Sequence, residues 1–259
     1  MIEAYLAGLQ LSDVPELDAA MHYALAGGKR IRARLCMAAA RAGGADPQLA
    51  LPAAGAIELV QAFSLVHDDL PALDDDSIRR GRPTSHVAYG EAVAILSGDG
   101  LLNAAFRLVA GCDLPAPTRL AVVGELSDGI AGMIDGQYLD VAAAAPGDMA
   151  GLRDLHRLKT GALISASVAC GLHVAGLTGE ALAPYRAFAA ELGLLFQIVD
   201  DLLDEGDDGA ASYVSAVGAE RARALAGESR TRALELLAAA PGDTVELAGL
   251  TELIAGRSG

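Results

Sequence analysis

The chain has 259 residues, 53% of them hydrophobic, with no Trp and few other aromatics. That length suits one large or two ordinary domains and leaves ample chain for a core, and a composition led by Ala and Leu favours helices over strands. The formal charge of −15, from 19 basic and 34 acidic residues, argues against a nucleic-acid backbone as partner.

Cys36, Cys112 and Cys170 are odd in number and set apart among apolar residues, so they read as thiols of a reducing compartment and not as a disulfide framework or metal site. No basic start leads into a long apolar run, and no apolar stretch of about 18 residues is free of charge or Gly/Pro breaks. No signal peptide or membrane span is therefore expected, and the expected location is cytoplasmic.

Periodicity and breakers predict helices over 16–26, 30–42, 50–70, 85–96, 99–111, 116–141, 148–175, 179–204 and 213–239, with a short one over 244–255. Ser12-Asp13 and Pro15 supply a start signal. Gly43-Gly44, Pro115, Pro146-Gly147 and Pro241-Gly242 supply breaks. No stretch shows convincing strand alternation, no linker is long enough to divide the chain, and no fixed-period repeat is present. The expectation is an all-α, single-domain helical bundle spanning residues 1–259, its helices apolar on most faces and mutually buried.

Taken in order, the first chemical feature is Gly27-Gly28-Lys29-Arg30-Ile31-Arg32. Two glycines before a helix start let backbone N–H groups approach an anion, and Lys29 and Arg32 would add charge on one face. The motif lacks a full phosphate-loop pattern and is weak alone. A solvated basic helix start would look the same.

The helix predicted over 50–70 then runs into Asp68-Asp69-Leu70-Pro71-Ala72-Leu73-Asp74-Asp75-Asp76, followed by Arg79-Arg80-Gly81-Arg82. Carboxylates at the end of a buried helix are costly unless paired, and they oppose the helix dipole. Divalent cations relieve that cost. Oxygen-only ligands favour Mg²⁺ sharing its shell with substrate phosphates, and guanidinium forks suit phosphate oxygens. On an ideal helix Asp68 and Asp74 stand roughly 240° apart. Pro71 interrupts the helix, so a local bulge is expected to swing Asp74 back beside Asp68.

His67 and His86 flank this motif and are read as positioning or packing groups, while Asp99 after Gly98 reads as a cap. Met133, Phe106 and Phe188 read as core. Late in the chain Phe196-Gln197-Ile198-Val199-Asp200-Asp201-Leu202-Leu203-Asp204 repeats the design without a proline. Asp200 and Asp204 share a face at i and i+4, where like charges repel unless bridged. Two such clusters facing one cavity could hold a diphosphate through shared Mg²⁺.

These residues resemble the motifs of the trans-isoprenyl diphosphate synthases, a family of polyprenyl synthetases, and most closely those of the bacterial farnesyl diphosphate synthases. Asp68-Asp69-(four residues)-Asp74 is similar to the family's first aspartate-rich motif, and Asp200-Asp201-Leu202-Leu203-Asp204 to its second. Gly27–Arg32, Arg79-Arg80-Gly81, Gly136-Gln137-x-x-Asp140, Lys159-Thr160-Gly161-Ala162-Leu163 and Phe196-Gln197 fall in family order between about Ala19 and Ala224.

The resemblance implies the isoprenoid (class I terpenoid) synthase fold, a bundle around a central cavity, working as a homodimer. Its substrates would be isopentenyl diphosphate and an allylic diphosphate. Mg²⁺, three ions per site, would be held by Asp68, Asp74 and Asp200, with Asp69, Asp201 and Asp204 supporting. Arg80 and Lys159 would hold the allylic diphosphate. Gly28, Lys29, Gln61, Arg32 and Arg79 would serve isopentenyl diphosphate, and the oxygens of Thr160 and Gln197 an allylic cation. Phe63, five residues before Asp68, would floor the cavity near a C15 product.

Two departures from the family pattern stand out. Gln61 occupies the place of a common histidine, and it can donate a hydrogen bond but carry no charge. The stretch after Asp204, Glu205–Tyr213, lacks the lysine-bearing loop that family members carry there. A class I terpene cyclase-like enzyme and an inactive or regulatory subunit of a heteromeric synthase are the alternatives. The retained basic residues Lys29, Arg32 and Arg79 favour the elongating synthase over the first, and the complete aspartate motifs over the second.

Overall fold

The structure is a computed structural model that describes residues 1–142, 149–203 and 212–257. Among them run α1 (Ile2–Ala7), α2 (Pro15–Leu25), α3 (Ile31–Ala42), α4 (Leu51–Asp68), α5 (Ser85–Tyr89), α6 (Glu91–Gly111), α7 (Ala116–Ala142), α8 (Met149–His156), α9 (Ala162–Val174), α10 (Ala183–Leu203), α11 (Tyr213–Val217), α12 (Ala219–Ala239) and α13 (Val245–Ala255). A π-helical turn, Arg157–Gly161, joins α8 to α9. Short 3-10 turns at Pro47–Ala50 and Gly179–Leu182 lead into α4 and α10.

Local chemistry sets the helix ends. Pro15 stands in the first turn of α2, where its missing N–H costs nothing. The Asp18 carboxylate accepts from the backbone N–H groups of Leu11 and Ser12 and ties the preceding loop to this helix. The start of α3 is capped from another helix: Oε1 of Glu58, on α4, accepts from Ala33 N at 3.0 Å. Arg30, left-handed with φ 51°, completes the join by pairing with Glu58 and with Glu3 of α1. The arginine inside the Gly-Gly-Lys-Arg element is thus a structural anchor.

Packing brings the site helices together. α4 lies along α6 and against α3, α3 along α9, α9 against α7 and α10, and α10 along α12. Leu6, Met21, Leu59, Leu101, Leu126 and Leu163 belong to one buried cluster, and Leu35, Ile164, Leu192, Leu195, Leu237 and Leu250 to a second. α3 and α9 contribute to both clusters, so the apolar faces close on each other as mutual burial requires.

Several boundaries differ from expectation. α1 was not predicted, being too short to show a period. The break predicted near Gly98 falls instead at Gly90, whose φ of 83° no ordinary residue adopts cheaply, so Asp99 is not a cap and lies inside α6. The helix predicted over 213–239 is likewise interrupted at Gly218, and the one over 148–175 by the π-helical turn. A two-stranded antiparallel ribbon is present, β1 (Ile78–Arg79) paired with β2 (Arg82–Pro83). Arg80 and Gly81 turn it with φ of 53° and 74°, the signs of a type I′ hairpin.

Three helical stretches, Pro47–Asp68, Glu91–Gly111 and Gly179–Leu203, are by length and composition apolar enough to cross a membrane, although each carries charged residues and Gly or Pro. They are 67%, 39% and 56% buried within the bundle, so the first and last spend most of their apolar surface on neighbouring helices.

Candidate active site

A cavity of about 790 Å³ opens among the C-terminal end of α4, the ribbon, α7, the π-helical turn and α10. Of the residues singled out from sequence, Asp68, Lys159, Thr160, Asp200, Arg32, Gln61, Phe63, Arg79 and Arg80 line it. Gly28, Lys29, Asp69, Asp74, Gln197 and Asp201 are not among its lining residues. Asp204 lies outside the described residues, as does the stretch after it through 211.

The expected swing of Asp74 is present. α4 ends at Asp68, the chain turns through Leu70 and Leu73, and Asp74 N donates to the Asp68 carbonyl at 2.9 Å. Burial pushes the Asp68 carboxyl up to about 6, against the pull of Lys159, and Asp74 adds to the rise. Burial also raises Asp74 and Asp69, again opposed by cations, Lys159 for the one and Arg79 for the other. Asp69 is 4% exposed and is tied to a lining residue, its Oδ1 accepting from Arg79 Nε at 2.6 Å. Arg79 also donates through Nη2 to Asp76, so the ribbon is clamped to the end of α4.

Arg80 is positioned from the glycine loop: its Nη1 donates to Gly27 O at 2.9 Å, and its guanidinium lies against Gly28. This explains the two glycines differently from an anion cradle, since a cavity cation is held by the carbonyls of Ala26 and Gly27 and packs where Gly28 has no side chain. Lys29 itself is exposed beside them. Arg32 is different. Desolvation lowers its proton affinity, its Nε is buried without a hydrogen-bond partner, and it sits over the Phe196 ring 5.5 Å away. A buried unsatisfied guanidinium N–H facing a cavity is a donor set for an anion.

Lys159 and Thr160 are presented by the π-helical turn, a geometry that recurs at functional sites. Gly136 of α7 admits that turn: a Cβ there would stand 2.3 Å from Lys159 N. Lys159 Nζ donates to Asp140. Thr160 donates its hydroxyl proton to Gln197 Oε1 at 2.9 Å, Gln197 Nε2 donates to Asp201 Oδ1 at 2.7 Å, and Asp201 Oδ2 accepts from Tyr213 N at 2.6 Å. The relay leaves the Thr160 oxygen with lone pairs and no proton to offer. It also holds Asp201 one layer behind the cavity.

Two lining residues were missed. Arg257, beyond the end of α13, sets Nη1 2.7 Å from Asp200 Oδ1 and its guanidinium 4.8 Å from the Phe196 ring centre. Nothing local in the sequence signals it, because its partner lies on another helix. Gln137, whose side-chain oxygen and nitrogen are both buried without hydrogen bonds, lay in a noted motif but was given no role.

A family model described as polyprenyl synthetase matches residues 14–212. The chain belongs to the polyprenyl synthetase family. A farnesyl diphosphate synthase of Escherichia coli (strain K12) is 37% identical over 99% of this chain and 94% of its own length. A geranylgeranyl pyrophosphate synthase 4 of Arabidopsis thaliana is 40% identical over 92% of the chain and 70% of its own. Among solved structures, a Helicobacter pylori geranyltransferase complexed with magnesium and isoprenyl diphosphate superposes with a TM-score of 0.88 at 31% identity, covering 98% of this chain and 92% of that one. The all-α fold of these synthases is the fold found here.

For a polyprenyl synthetase the donor set is apt. Asp68 and Asp200 present hard oxygens to one cavity from α4 and α10, and the three carboxyls at the end of α4 hold protons more tightly than free aspartates do. Among the described residues no three carboxylate, imidazole or thiolate groups form a ready-made metal site. The arrangement suits an ion that completes its shell with substrate oxygens and water.

Proposed function

We propose that this protein is a short-chain trans-prenyltransferase that condenses isopentenyl diphosphate with an allylic diphosphate, dimethylallyl or geranyl, and releases farnesyl diphosphate. The observation that carries this reading is one cavity lined by Asp68 and Asp200 together with Arg32, Arg79, Arg80 and Lys159, with Phe63, Met133 and Ile134 on its apolar part. Carboxylates from two motifs, four cations and an apolar wall are what a metal-bound diphosphate with a hydrocarbon tail needs.

Asp68, Asp74 and Asp200 would hold Mg²⁺, with Asp69, Asp201 and Asp204 supporting and three ions present when substrate is bound. Mg²⁺ bound there supplies charge neutralisation for the departing diphosphate. Arg80 and Lys159 bind that same diphosphate, and their charge favours ionisation of the allylic C–O bond. Arg32 and Arg79, with Gln61 and Lys29, take the diphosphate of isopentenyl diphosphate. The two substrates are thereby held for attack of the isopentenyl double bond on the allylic carbon.

Thr160, its proton committed to Gln197, turns oxygen lone pairs toward the cationic centre. The apolar wall excludes water that would quench it. The proton lost on forming the new double bond passes to the released diphosphate. Phe63 closes the hydrocarbon end near fifteen carbons.

We also propose a cytoplasmic homodimer. Ile95 and Leu96 on α6, Val87 and Tyr89 on α5 and Leu120 on α7 are exposed apolar side chains, the kind of surface a second copy covers.

The test is product analysis of the purified protein with isopentenyl diphosphate and each allylic diphosphate in turn, with and without Mg²⁺. A C15 diphosphate formed only with Mg²⁺ is expected. Release of diphosphate from an allylic substrate alone would point to a cyclase, and silence in both assays would reject the synthase.

A further inference from the structure

The wall behind Phe63 is built from two rings, not one. Phe63 and His67 stand four residues apart on α4 and therefore on one face. Their rings meet edge to face, with centroids 4.9 Å apart and planes at 72°. Both line the cavity, Phe63 itself being only 9% exposed.

His67 is fixed in turn by α6. Its Nε2 lies 3.2 Å from the Ile95 carbonyl oxygen and 3.9 Å from the Asp99 carboxylate. The ring fills a notch in α6 at Gly98, where a Cβ would stand 2.2 Å from His67 Nε2 and 2.4 Å from Cδ2. A ring seated against a helix backbone, bonded to a carbonyl there and packed on a neighbouring phenyl, has little rotational freedom left.

We propose that His67, seated in the Gly98 notch, is a positioning residue that pins the Phe63 ring and thereby sets the chain length of the prenyl product. This rests on the prenyl-elongation reading above. Without His67 the Phe63 ring gains room to tilt toward α6, and the cavity admits a longer chain. With the notch filled, the imidazole is driven the other way, toward the cavity, and the chain stops sooner. Gly98 thus determines specificity without touching substrate.

The experiment is chain-length analysis of products made from dimethylallyl and isopentenyl diphosphates by the wild type and by His67→Ala, His67→Phe and Gly98→Ala, with folding checked by circular dichroism. Expected are a several-fold rise in C20 over C15 for His67→Ala, a near wild-type ratio for His67→Phe, which keeps the edge contact, and a shift toward C10 for Gly98→Ala. A ratio unchanged in His67→Ala, while Phe63→Ala lengthens the product, would overturn the proposal and leave the synthase reading intact. If His67→Ala does not fold, a Gly98→Ala product distribution identical to wild type overturns it instead. A wild type that makes no condensation product fails at the earlier step and overturns both.

Discussion

An Arg257 guanidinium nitrogen lies 2.7 Å from Oδ1 of Asp200, so the residue beyond the last helix closes an ion pair on an aspartate proposed to hold metal. Both side chains are partly screened from solvent, at 18% and 29% exposure. A cation in that position competes with a divalent ion for the same carboxylate. The pair is only partly buried, so its strength is about 1 kcal/mol. Arg257→Ala should therefore tighten divalent binding to the substrate-free protein by roughly 5-fold. Arg257→Lys should stay near wild type. Mn²⁺ titration followed by loss of the free-ion EPR signal reads this directly, and weaker binding in the alanine variant would show that Arg257 supports the metal site.

Asp68 gives the site a pH signature. Burial raises its carboxyl to about 6 from an ordinary value near 4, so between those values the folded protein holds a proton that the unfolded chain releases. In metal-free protein, stability should fall as pH rises from about 4 to about 6 and level off above. Asp69 and Asp74 are raised too and push in the same direction. Asp68→Asn should flatten the slope in thermal unfolding curves. Metal must displace the same proton, so divalent affinity should drop about tenfold per pH unit below about 6. An affinity independent of pH from 5 to 7 would place the metal elsewhere.

The Thr160–Gln197–Asp201 relay predicts a chemical defect separable from binding. Thr160→Val keeps the shape but removes the oxygen lone pairs and leaves Gln197 without its donor. Turnover should fall roughly 100–1,000-fold, the range for losing one preorganised group at developing charge, with substrate KM values little changed. Thr160→Ser should recover most of the rate. A rise in KM at unchanged kcat would make Thr160 a binding group instead.

Much of this was legible because the chemistry is local in sequence. Two aspartate clusters ending apolar helices, and arginines directly after one of them, announced a cavity lined by carboxylates and cations, and Pro71 announced the turn that returns Asp74 to Asp68. What was illegible depends on contacts between distant elements. Arg257 has no local partner that marks it, and Arg30, between Lys29 and Arg32, has no readable role until α1 and Glu58 are in place. The ribbon strands are too short for alternation to register. Gly98 reads as a break in any linear scan, and only the His67 ring packed on it shows why a glycine stands inside α6.

The Arg30 anchor makes the sharpest stability prediction. Arg30 and Glu58 are 7% and 5% exposed, and Glu58 also caps α3 through Ala33 N. Arg30→Ala would strand a buried carboxylate, which costs about 3–5 kcal/mol when one partner of a buried pair is lost. Glu3, the other partner, has a side chain 63% exposed, and Glu3→Ala should cost under about 1 kcal/mol even though its contact with Arg30 is the shorter, 2.7 Å against 3.3 Å. Burial, not distance, decides which contact matters. Chemical denaturation of the two variants would show the contrast, and equal losses would mean that α1 is held through Glu3 more firmly than its exposure implies.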